Sequence, residues 1–194
     1  MQAFSQASEN NKGPILEILK PLLQRCETVL EIGSGTGQHA AFFASHLPWL
    51  VWQASDLSHN HSSIEAWIHG IANARAPLDL DVDGDDWPTQ SYAAAFSANT
   101  AHILHWPSVV RMFHGVAGVL QADGVFVLYG PFNYGGRYTS PGNEAFDGQL
   151  RGADAGMGIR DFEAEAEHAD NAGLSLLADH AMPANNRTLV WQRN

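Results

Sequence analysis

Three glycines at alternate positions, Gly33, Gly35 and Gly37, follow Glu31 in a pattern that could hold a ligand. Glycine is favoured where φ must be positive or where a ligand must approach the backbone, because a Cβ would be in the way. A carboxylate two residues before the first glycine would repel a pyrophosphate and attract an ammonium group. The pattern E-x-G-x-G-x-G therefore predicts a cradle for a positively charged ligand, with a purely structural glycine-rich turn as the alternative.

The spacing of the glycines disfavours two other nucleotide sites. The dinucleotide fingerprint G-x-G-x-x-G requires its third glycine at position 38, where the chain has Gln38. The sequence contains no phosphate loop ending in Gly-Lys-Ser or Gly-Lys-Thr, and it lacks the Tyr-x-x-x-Lys pair of short-chain reductases. A nicotinamide oxidoreductase is accordingly the less favoured hypothesis.

Polar residues at the predicted ends of later strands supply the rest of a candidate site. Asp56 lies about twenty residues past the glycines, where a carboxylate accepts hydrogen bonds from both ribose hydroxyls in Rossmann-like sites. Asp81 could accept a hydrogen bond from an adenine amino group while Val82 packs on the ring. Asn99 and His102 follow a strand expected at the sheet centre, so they should face the ligand crevice. A structural His102, bonded to backbone, is the alternative.

The elements that must position these residues alternate between strand and helix. The apolar pattern predicts strands at residues 29–32, 49–54, 77–82, 92–98 and 125–129. Helical spacing of apolar residues predicts helices that follow the first, second and fourth of these strands, and another near 162–171. The chain closes with two strands, near 174–178 and 188–192, that should form an antiparallel hairpin.

Two further segments flank or interrupt this pattern. Residues 1–27 are expected to form an N-terminal arm and a helix that begins at Pro14, a residue suited to a first helical turn. Asn11 and Lys12 of the arm could reach a ligand carboxylate, with a frayed terminus as the alternative. Residues 130–158 have no regular pattern, and a loop this long in a compact domain is typical of a lid.

Length and composition limit the class of protein. A chain of 194 residues is expected to form one domain spanning residues 1–194. The formal net charge of −11 disfavours nucleic acid and anionic membranes as partners, because both require a Lys/Arg surface, and it favours a small-molecule substrate. The sequence has neither a transmembrane run nor a secretory signal pattern, so we expect a cytosolic protein. Its histidines and single cysteine show no metal-ligand spacing, and no metal is expected.

A set of strings spread over nearly the full chain resembles a known family. The strings are Glu9-Asn-Asn-Lys12-x-Pro14-Ile15, Gly35-Thr36-Gly37-Gln38-His39-Ala40, Trp52-Gln-x-Ser-Asp56, Leu80-Asp-Val82, Ser97-Ala-Asn99-x-x-His102-Ile-x-x-Trp106, Tyr129-Gly-Pro-Phe132, Asn143-x-x-Phe146-Asp147, Gly158-Ile-Arg160-Asp161 and Pro183-Ala-Asn-Asn186. Together with the order of the motifs, they resemble class I S-adenosylmethionine (SAM)-dependent methyltransferases. More narrowly, they are similar to the uncharacterised methyltransferase-like family called domain of unknown function 938.

This resemblance implies a fold and a cofactor. The fold would be the Rossmann-like class I methyltransferase fold, an α/β domain with a seven-stranded, mostly parallel sheet and a C-terminal antiparallel hairpin strand. The cofactor would be SAM. The residues expected to bind it are Glu31, Gly33, Ser34, Gly35, Thr36, Gly37, Gln38, Asp56, Asp81, Val82, Asn99, Asn11 and Lys12.

Methyl transfer from a sulfonium is an in-line displacement, so the protein mainly aligns the nucleophile and excludes water. A base is needed only for hydroxyl or acidic nucleophiles. His102 is the first candidate, followed by Tyr129 and Asp147. The residues expected to hold a small-molecule substrate are Asn143, Asp147, Arg151 and Arg160. The rival hypothesis is a SAM-binding module or sensor that has the same fold but no turnover.

Overall fold

Alternating apolar strands and amphipathic helices build a sheet with helices on both faces, as a computed structural model describes for residues 2–194. The strands are β1 (Thr28–Ile32), β2 (Val51–Asp56), β3 (Ala74–Asp79), β4 (Tyr92–Ala98), β5 (Leu120–Gly130), β6 (Phe132–Asn133), β7 (Arg160–Asp161), β8 (Leu174–Met182) and β9 (Asn186–Arg193). The helices are α1 (Gln6–Leu22), α2 (Gln38–His46), α3 (His61–Ile68), α4 (Trp106–Val119), α5 (Pro141–Ala153) and α6 (Phe162–Asn171). In this part of the chain, no helix is both long enough and apolar enough to cross a bilayer.

The main sheet has seven strands in the order β3-β2-β1-β4-β5-β9-β8, while β6 and β7 pair separately. Strands β1 to β5 run parallel, β9 is antiparallel to β5, and β8 is antiparallel to β9. The predicted mostly parallel sheet with a closing hairpin is therefore confirmed. The strand order reverses between β1 and β4, and ligands of open α/β sheets bind in the crevice beyond the carboxyl ends of strands at such a point.

Apolar side chains pack helices against both faces of the sheet. On one face, the ring of Phe43 from α2 packs 5.3 Å from the rings of Trp52 and Phe96. On the other face, Phe113 from α4 packs edge-on against Trp191 at 5.2 Å. Buried aromatic side chains contribute large apolar areas and defined geometry. These contacts pack α2 against β2 and β4 on one face and α4 against β9 on the other.

The structure begins α1 at Gln6 rather than at the predicted Pro14. Ser5 caps the helix, because its Oγ accepts a hydrogen bond from the backbone N–H of Ser8 at 3.2 Å. Pro14 lies inside the helix and does not end it. Asn11 and Lys12 are therefore helical, and the alternative of a frayed terminus is wrong for these residues.

The predicted irregular stretch at 130–158 contains the thirteen-residue helix α5. Ser140 caps it and Pro141 opens its first turn, which is a common start for a helix. Three glycines lower its intrinsic helix propensity and obscured it in the sequence. The helix forms because Asp147, buried on its inner face, is 2.7 Å from Arg151 Nε one turn later and accepts from the backbone of Ile159.

Strand β3 also differs from its prediction, since it spans Ala74–Asp79 instead of 77–82. It pairs with β2 so that Asp79 lies opposite Asp56. Asp81 and Val82 follow the strand in the turn at its carboxyl end. The chain from there to β4 contains no helix, as the short connection predicted.

Glu165 on α6 is a buried acid without a partner. Its side chain is fully buried, and neither carboxylate oxygen has a hydrogen-bond partner within residues 2–194. Burial raises its pKa to about 8, and the nearby positive charge of Arg160 only partly opposes this. The folded state thus favours the neutral acid. The contribution of Glu165 to the free energy of unfolding is therefore fully present below pH 4.5, the ordinary pKa of a glutamate. It is lost as the pH rises through the folded-state pKa of about 8.

We expect Glu165→Gln to remove this pH dependence. As the pH rises between these two values, the unfolding free energy of the variant should increase relative to that of the wild type by about 1.4 kcal/mol for each pH unit. Chemical denaturation at several pH values across that window measures the difference. Glu167→Gln, an exposed change on the same helix, is the control. If Glu165→Gln kept the wild-type pH dependence, the carboxyl group would not be held as a buried neutral acid.

Candidate functional site

The crevice at the carboxyl ends of β1, β2 and β4 opens into a cavity of about 690 Å³, which we call the central cavity. Small-ligand and cofactor pockets typically measure ~300–1,000 Å³. The lining residues come from the start of α1, the turns after β1 to β5, α5 and the β8–β9 turn. The structure therefore brings together the glycine loop and the polar ends of the neighbouring strands, as the sequence predicted.

The three glycines of the loop after β1 serve two different purposes. Gly33 has φ +69°, and a Cβ there would lie 2.5 Å from Thr100 Cγ2. Gly37 has φ +93° and precedes α2, where a Cβ would lie 2.6 Å from the backbone of Ile64. Gly35 has φ +56°, lines the central cavity, and would place a Cβ in open space. Gly35 therefore offers bare backbone to a ligand, while Gly33, which also lines the cavity, and Gly37 allow close packing with neighbouring residues. Ser34 and Thr36 also line the cavity.

Glu31 lies behind the glycine loop and outside the wall of the cavity. Its side chain is 2% exposed, and its Oε2 accepts hydrogen bonds from Ser34 Oγ and Trp52 Nε1, both at 2.9 Å. Burial raises the pKa of Glu31 to about 7, although these hydrogen bonds lower it. The carboxylate braces the loop against β2. Its direct contact with a ligand ammonium stays a prediction.

Asp56 lines the cavity at the end of β2 and is held there by three donors. Its Oδ2 accepts from the backbone N–H of Gly35 at 2.7 Å. Its Oδ1 accepts from the backbone N–H of Leu57 at 2.7 Å and from Asn60 Nδ2 at 2.8 Å. A carboxylate offers about four acceptor positions. The arrangement fixes the carboxylate and leaves about one position for a ligand hydroxyl.

The turns after β3 and β4 complete the wall opposite α1. Asp81 lines the cavity, with Leu80 and the largely buried Val82 beside it as an apolar surface. Asn99 also lines the cavity and has φ +60°, in the left-handed region that few residues other than glycine adopt. Its backbone N–H donates to Tyr129 O at 2.8 Å. Such backbone conformations are concentrated at ligand sites.

His102 is the only one of the three predicted bases that lines the cavity within residues 2–194. Its side chain is largely buried, and its ring packs edge-on against Phe146 at 5.3 Å. The ring makes no hydrogen bond to any described residue, so the predicted alternative of a backbone-bonded histidine is not what the structure shows. Burial, together with the positive charge of Arg160, lowers the pKa of His102 to about 4. The ring is therefore neutral at pH 7, with a nitrogen able to accept a proton.

The residues just before α1, together with its first turn, close one side of the cavity. The backbone N–H of Ala3 donates to Ser63 Oγ at 2.9 Å, and Trp67 Nε1 donates to Ala3 O at 2.7 Å. We call residues 3–8 the amino-terminal clasp. Ser5 of the clasp lines the cavity. The clasp was missed in the sequence because the helix was expected to begin eight residues later.

Besides Glu31 and Gly37, three residues predicted to bind the cofactor lie outside the cavity wall. Gln38 accepts a hydrogen bond from the clasp through its Oε1. Asn11 Oδ1 lies 2.6 Å from His39 Nε2, and Lys12 Nζ lies 2.5 Å from a carboxylate oxygen of Glu9. Gln38 and Asn11 thus connect the amino-terminal segment to α2, and Lys12 pairs within α1, so none of the three presents its polar group to the cavity.

Tyr129, the second predicted base, also lies outside the cavity wall. Its side chain is largely buried at the end of β5. Burial raises the pKa of Tyr129, and hydrogen bonds from the side chains of Asn11 and Asn186 oppose the rise. Because Asn186 itself lines the cavity, Tyr129 acts at most through this neighbour.

Asp147, Arg151 and Arg160 are likewise not brought to the cavity. Burial raises the pKa of Asp147, but hydrogen bonds from Arg151, Tyr138 and the backbone of Ile159 outweigh it and lower the pKa overall. Arg160 donates from Nε to Ala101 O at 3.0 Å and its guanidinium also reaches two other carbonyl oxygens. These charges anchor α5 and the chain around it. Of the predicted substrate-holding residues, only Asn143 lines the cavity.

Several lining residues escaped prediction. His39 lines the cavity from the first turn of α2, and its ring stacks on Phe43 at 5.3 Å. Burial lowers the pKa of His39 to about 4, and the charge of Lys12 adds to this effect. Asn186, the first residue of β9, also lines the cavity although it is distant in sequence from the glycine loop. Its sequence position next to Pro183-Ala-Asn indicated only a turn.

The sequence profile of a family described as "Protein of unknown function (DUF938)" matches residues 2–193, which is nearly the whole chain. Solved structures with a similar fold include methyltransferases. An O-methyltransferase family protein from Burkholderia thailandensis superposes with a TM-score of 0.85 at 15% identity, covering 97% of this chain and 57% of its own.

Two further structures carry a cofactor or its product. Human N-acetylserotonin methyltransferase in complex with SAM has a TM-score of 0.82 at 12% identity, covering 97% of this chain and 53% of its own. PigF with S-adenosylhomocysteine (SAH) has a TM-score of 0.79 at 13% identity, covering 97% and 64%. The chain spans less than two thirds of each neighbour's length. These similarities establish the methyltransferase fold, as the resemblance implied.

Proposed function

The chain belongs to the DUF938 family, and from its central cavity we propose that it is a SAM-dependent methyltransferase acting on a small molecule. The supporting observation is that Asp56 is bonded to the backbone N–H of Gly35 at 2.7 Å beside a cavity of cofactor size. A ligand beside Gly35 would therefore meet both the carboxylate and the bare backbone. Human N-acetylserotonin methyltransferase, which shares the fold, was solved in complex with SAM.

The residues of the cavity fit an adenosine-bearing cation. Asp56 would accept a hydrogen bond from a ribose hydroxyl, and Asp81 would accept one from the adenine amino group while Leu80 and Val82 pack on the ring. When bound, SAM supplies an electrophilic methyl group on a sulfonium. The two carboxylates and the net charge of −11 favour a cationic ligand and disfavour nucleic acid as a partner.

His102 is the residue we assign to proton transfer. It lines the cavity beyond the glycine loop, and its neutral ring would accept the proton of a hydroxyl nucleophile and align it. The polar side chains of Asn99 and Asn143, which line the cavity, would contact SAM and the methyl acceptor where the two molecules meet.

A metabolite screen that follows the conversion of SAM to SAH tests the proposal. Isothermal titration with SAM and SAH comes first, because it requires no knowledge of the acceptor. Binding of both, followed by production of SAH with any small-molecule fraction, is the expected result. If the protein bound neither SAM nor SAH but quenched the fluorescence of NADH, the hypothesis of a nicotinamide oxidoreductase would be favoured instead.

Replacing His102 with glutamine should lower kcat/KM about 30-fold and leave SAH affinity unchanged. Positioned bases usually contribute ~100-fold or more, but an imidazole with a pKa of about 4 is a weak base. As the pH is lowered from 6.5, we expect kcat/KM of the wild type to stay constant at first and to fall only when the pH drops through about 4. His114→Gln, an exposed change on α4, is the control.

A second candidate is a SAM-binding module without turnover. It is favoured by the fact that Tyr129 and Asp147 do not line the cavity, which leaves His102 as the one predicted base there within residues 2–194. Under this hypothesis, SAH would bind to the wild type and to His102→Gln alike, and no small-molecule fraction would yield methylated product. The same pair of measurements therefore separates the two functions.

A further inference from the structure

The part of the central cavity beyond the glycine loop has a composition that restricts the acceptor, an inference that rests on the proposed function. We call this part the acceptor half. Its lining residues are His102, Ile103, Pro131, Asn143, Phe146 and Asn186. They are apolar, aromatic or carry uncharged polar groups, because the ring of His102 is neutral at pH 7.

No lysine or arginine within residues 2–194 lines any part of the central cavity. Three basic residues close in sequence to these positions are already paired, since Arg187 binds Asp179, Arg151 binds Asp147 and Arg160 binds backbone carbonyl oxygens. An anionic group buried without a partner carries a large desolvation cost. An acceptor with a carboxylate or phosphate therefore has no counter-charge in this cavity.

Within the acceptor half, the start of α5 is the remaining feature that could attract an anion, because helix amino termini carry a partial positive charge. Its backbone donors are largely used. Pro141 has no N–H, the N–H of Asn143 donates to Ser140 Oγ at 3.1 Å, and the N–H of Glu144 donates to Ser140 O at 3.1 Å. Glu144 also places a negative charge in the first turn. This helix end does not replace the missing cation.

The opening of the acceptor half is apolar. Ile103 is 46% exposed and Phe146 is 37% exposed, although both side chains are large and apolar. Exposed apolar side chains grouped at the mouth of a cavity indicate a ligand-binding surface. The edge-on contact between Phe146 and His102 places a flat aromatic surface next to the proposed base.

We infer that the methyl acceptor is an uncharged aromatic molecule with a phenol-type hydroxyl, which packs against Ile103 and Phe146 and directs its hydroxyl to His102. The hydroxyl oxygen forms the new bond to the methyl carbon as the carbon–sulfur bond breaks, and the electron pair of that bond stays on sulfur. The hydroxyl proton passes to a ring nitrogen of His102 and then to water. A phenol, with a pKa of about 10, suits this weak base better than an aliphatic alcohol does.

Binding to the SAH-saturated protein tests the inference without relying on turnover. The probes are 2-naphthol, 2-naphthoate and 2-naphthylmethylammonium, which share one ring system and differ in charge. Isothermal titration should show that 2-naphthol binds at least about tenfold more tightly than 2-naphthoate, because only the latter buries an unpaired anion. With SAM in place of SAH, 2-naphthol should be converted to its methyl ether, and His102→Gln should slow the conversion while still binding the probe.

A charge added at the rim provides the matched variant. Ile103→Lys should improve 2-naphthoate binding about tenfold and weaken 2-naphthol binding, whereas Ile103→Met should leave the wild-type order unchanged. Circular dichroism of both variants verifies that the fold is intact, and SAH titration verifies that the part of the cavity around the glycine loop is intact.

Three outcomes would overturn the inference. They are 2-naphthoate binding as tightly as 2-naphthol, tightest binding of 2-naphthylmethylammonium, and binding of none of the probes by protein that does bind SAH. In all three, the proposed methyltransferase function survives. Failure to bind SAH at all would remove the proposed function together with this inference, so the two failures are distinguishable.

Discussion

Asp56→Ala should weaken SAH binding about 100-fold. The variant loses a charged acceptor for a ribose hydroxyl, and hydrogen bonds to charged groups contribute ~1.5–3 kcal/mol. It also frees the backbone N–H of Gly35, which donates to Asp56 at 2.7 Å, so the loop that presents bare backbone becomes less ordered. Tenfold in affinity corresponds to about 1.4 kcal/mol, and the two losses together account for the expected change.

Isothermal titration measures this effect, and Asp79→Ala is its control. Asp79 is an exposed aspartate that lies opposite Asp56 in the sheet register and does not line the cavity. Its replacement should leave SAH affinity within about twofold of the wild type. Equal affinity of Asp56→Ala and Asp79→Ala for SAH would mean that the Asp56 carboxylate does not hold a nucleoside.

A side chain at position 35 should abolish cofactor binding while the protein remains folded. Gly35 has φ +56° and no atom within 4 Å of an added Cβ, and asparagine tolerates this backbone conformation better than other residues do. In Gly35→Asn, the new side chain occupies the space in which a ligand would approach the backbone. We expect SAH affinity to fall at least about 1,000-fold, below the range of titration.

Gly70→Asn is a closely matched control for this substitution. Gly70 has φ +79°, has open space around an added Cβ, and lies outside the cavity wall. Both variants should show the circular dichroism spectrum of the wild type, and only Gly35→Asn should lose SAH binding. Normal binding by Gly35→Asn would place the cofactor elsewhere in the crevice.

The sequence predicted the sheet and one half of the cavity wall for physical reasons. Parallel strands carry continuous apolar runs, so β1, β2 and β4 could be placed from local pattern alone, and their carboxyl ends had to meet at one edge. Gly35, Asp56 and Asp81 follow directly from that geometry. The local signal was sufficient because each of these residues lies within a few positions of a strand end.

The parts that could not be predicted depend on contacts between distant residues. Helix α5 contains three glycines, and its stability comes from tertiary contacts of Asp147 with the chain near Ile159. The clasp is held by Ser63 and Trp67, about 60 residues away in sequence. Asp147 was predicted as a site residue because of its type and its family string, but pairing with Arg151 and with a backbone amide turns it into a structural anchor.

The position of the amino-terminal clasp has a practical consequence for handling the protein. A purification tag or reporter fused to the amino terminus would lie next to the clasp, whose Ser5 lines the cavity and whose Ala3 is bonded to Ser63 and Trp67. A tag fused after Asn194 would emerge at the opposite rim of the sheet, because Arg193 pairs with Leu174 and Gln192 with Val125. Carboxyl-terminal fusions are therefore the appropriate reagents, and inactivity of an amino-terminal fusion would report steric obstruction.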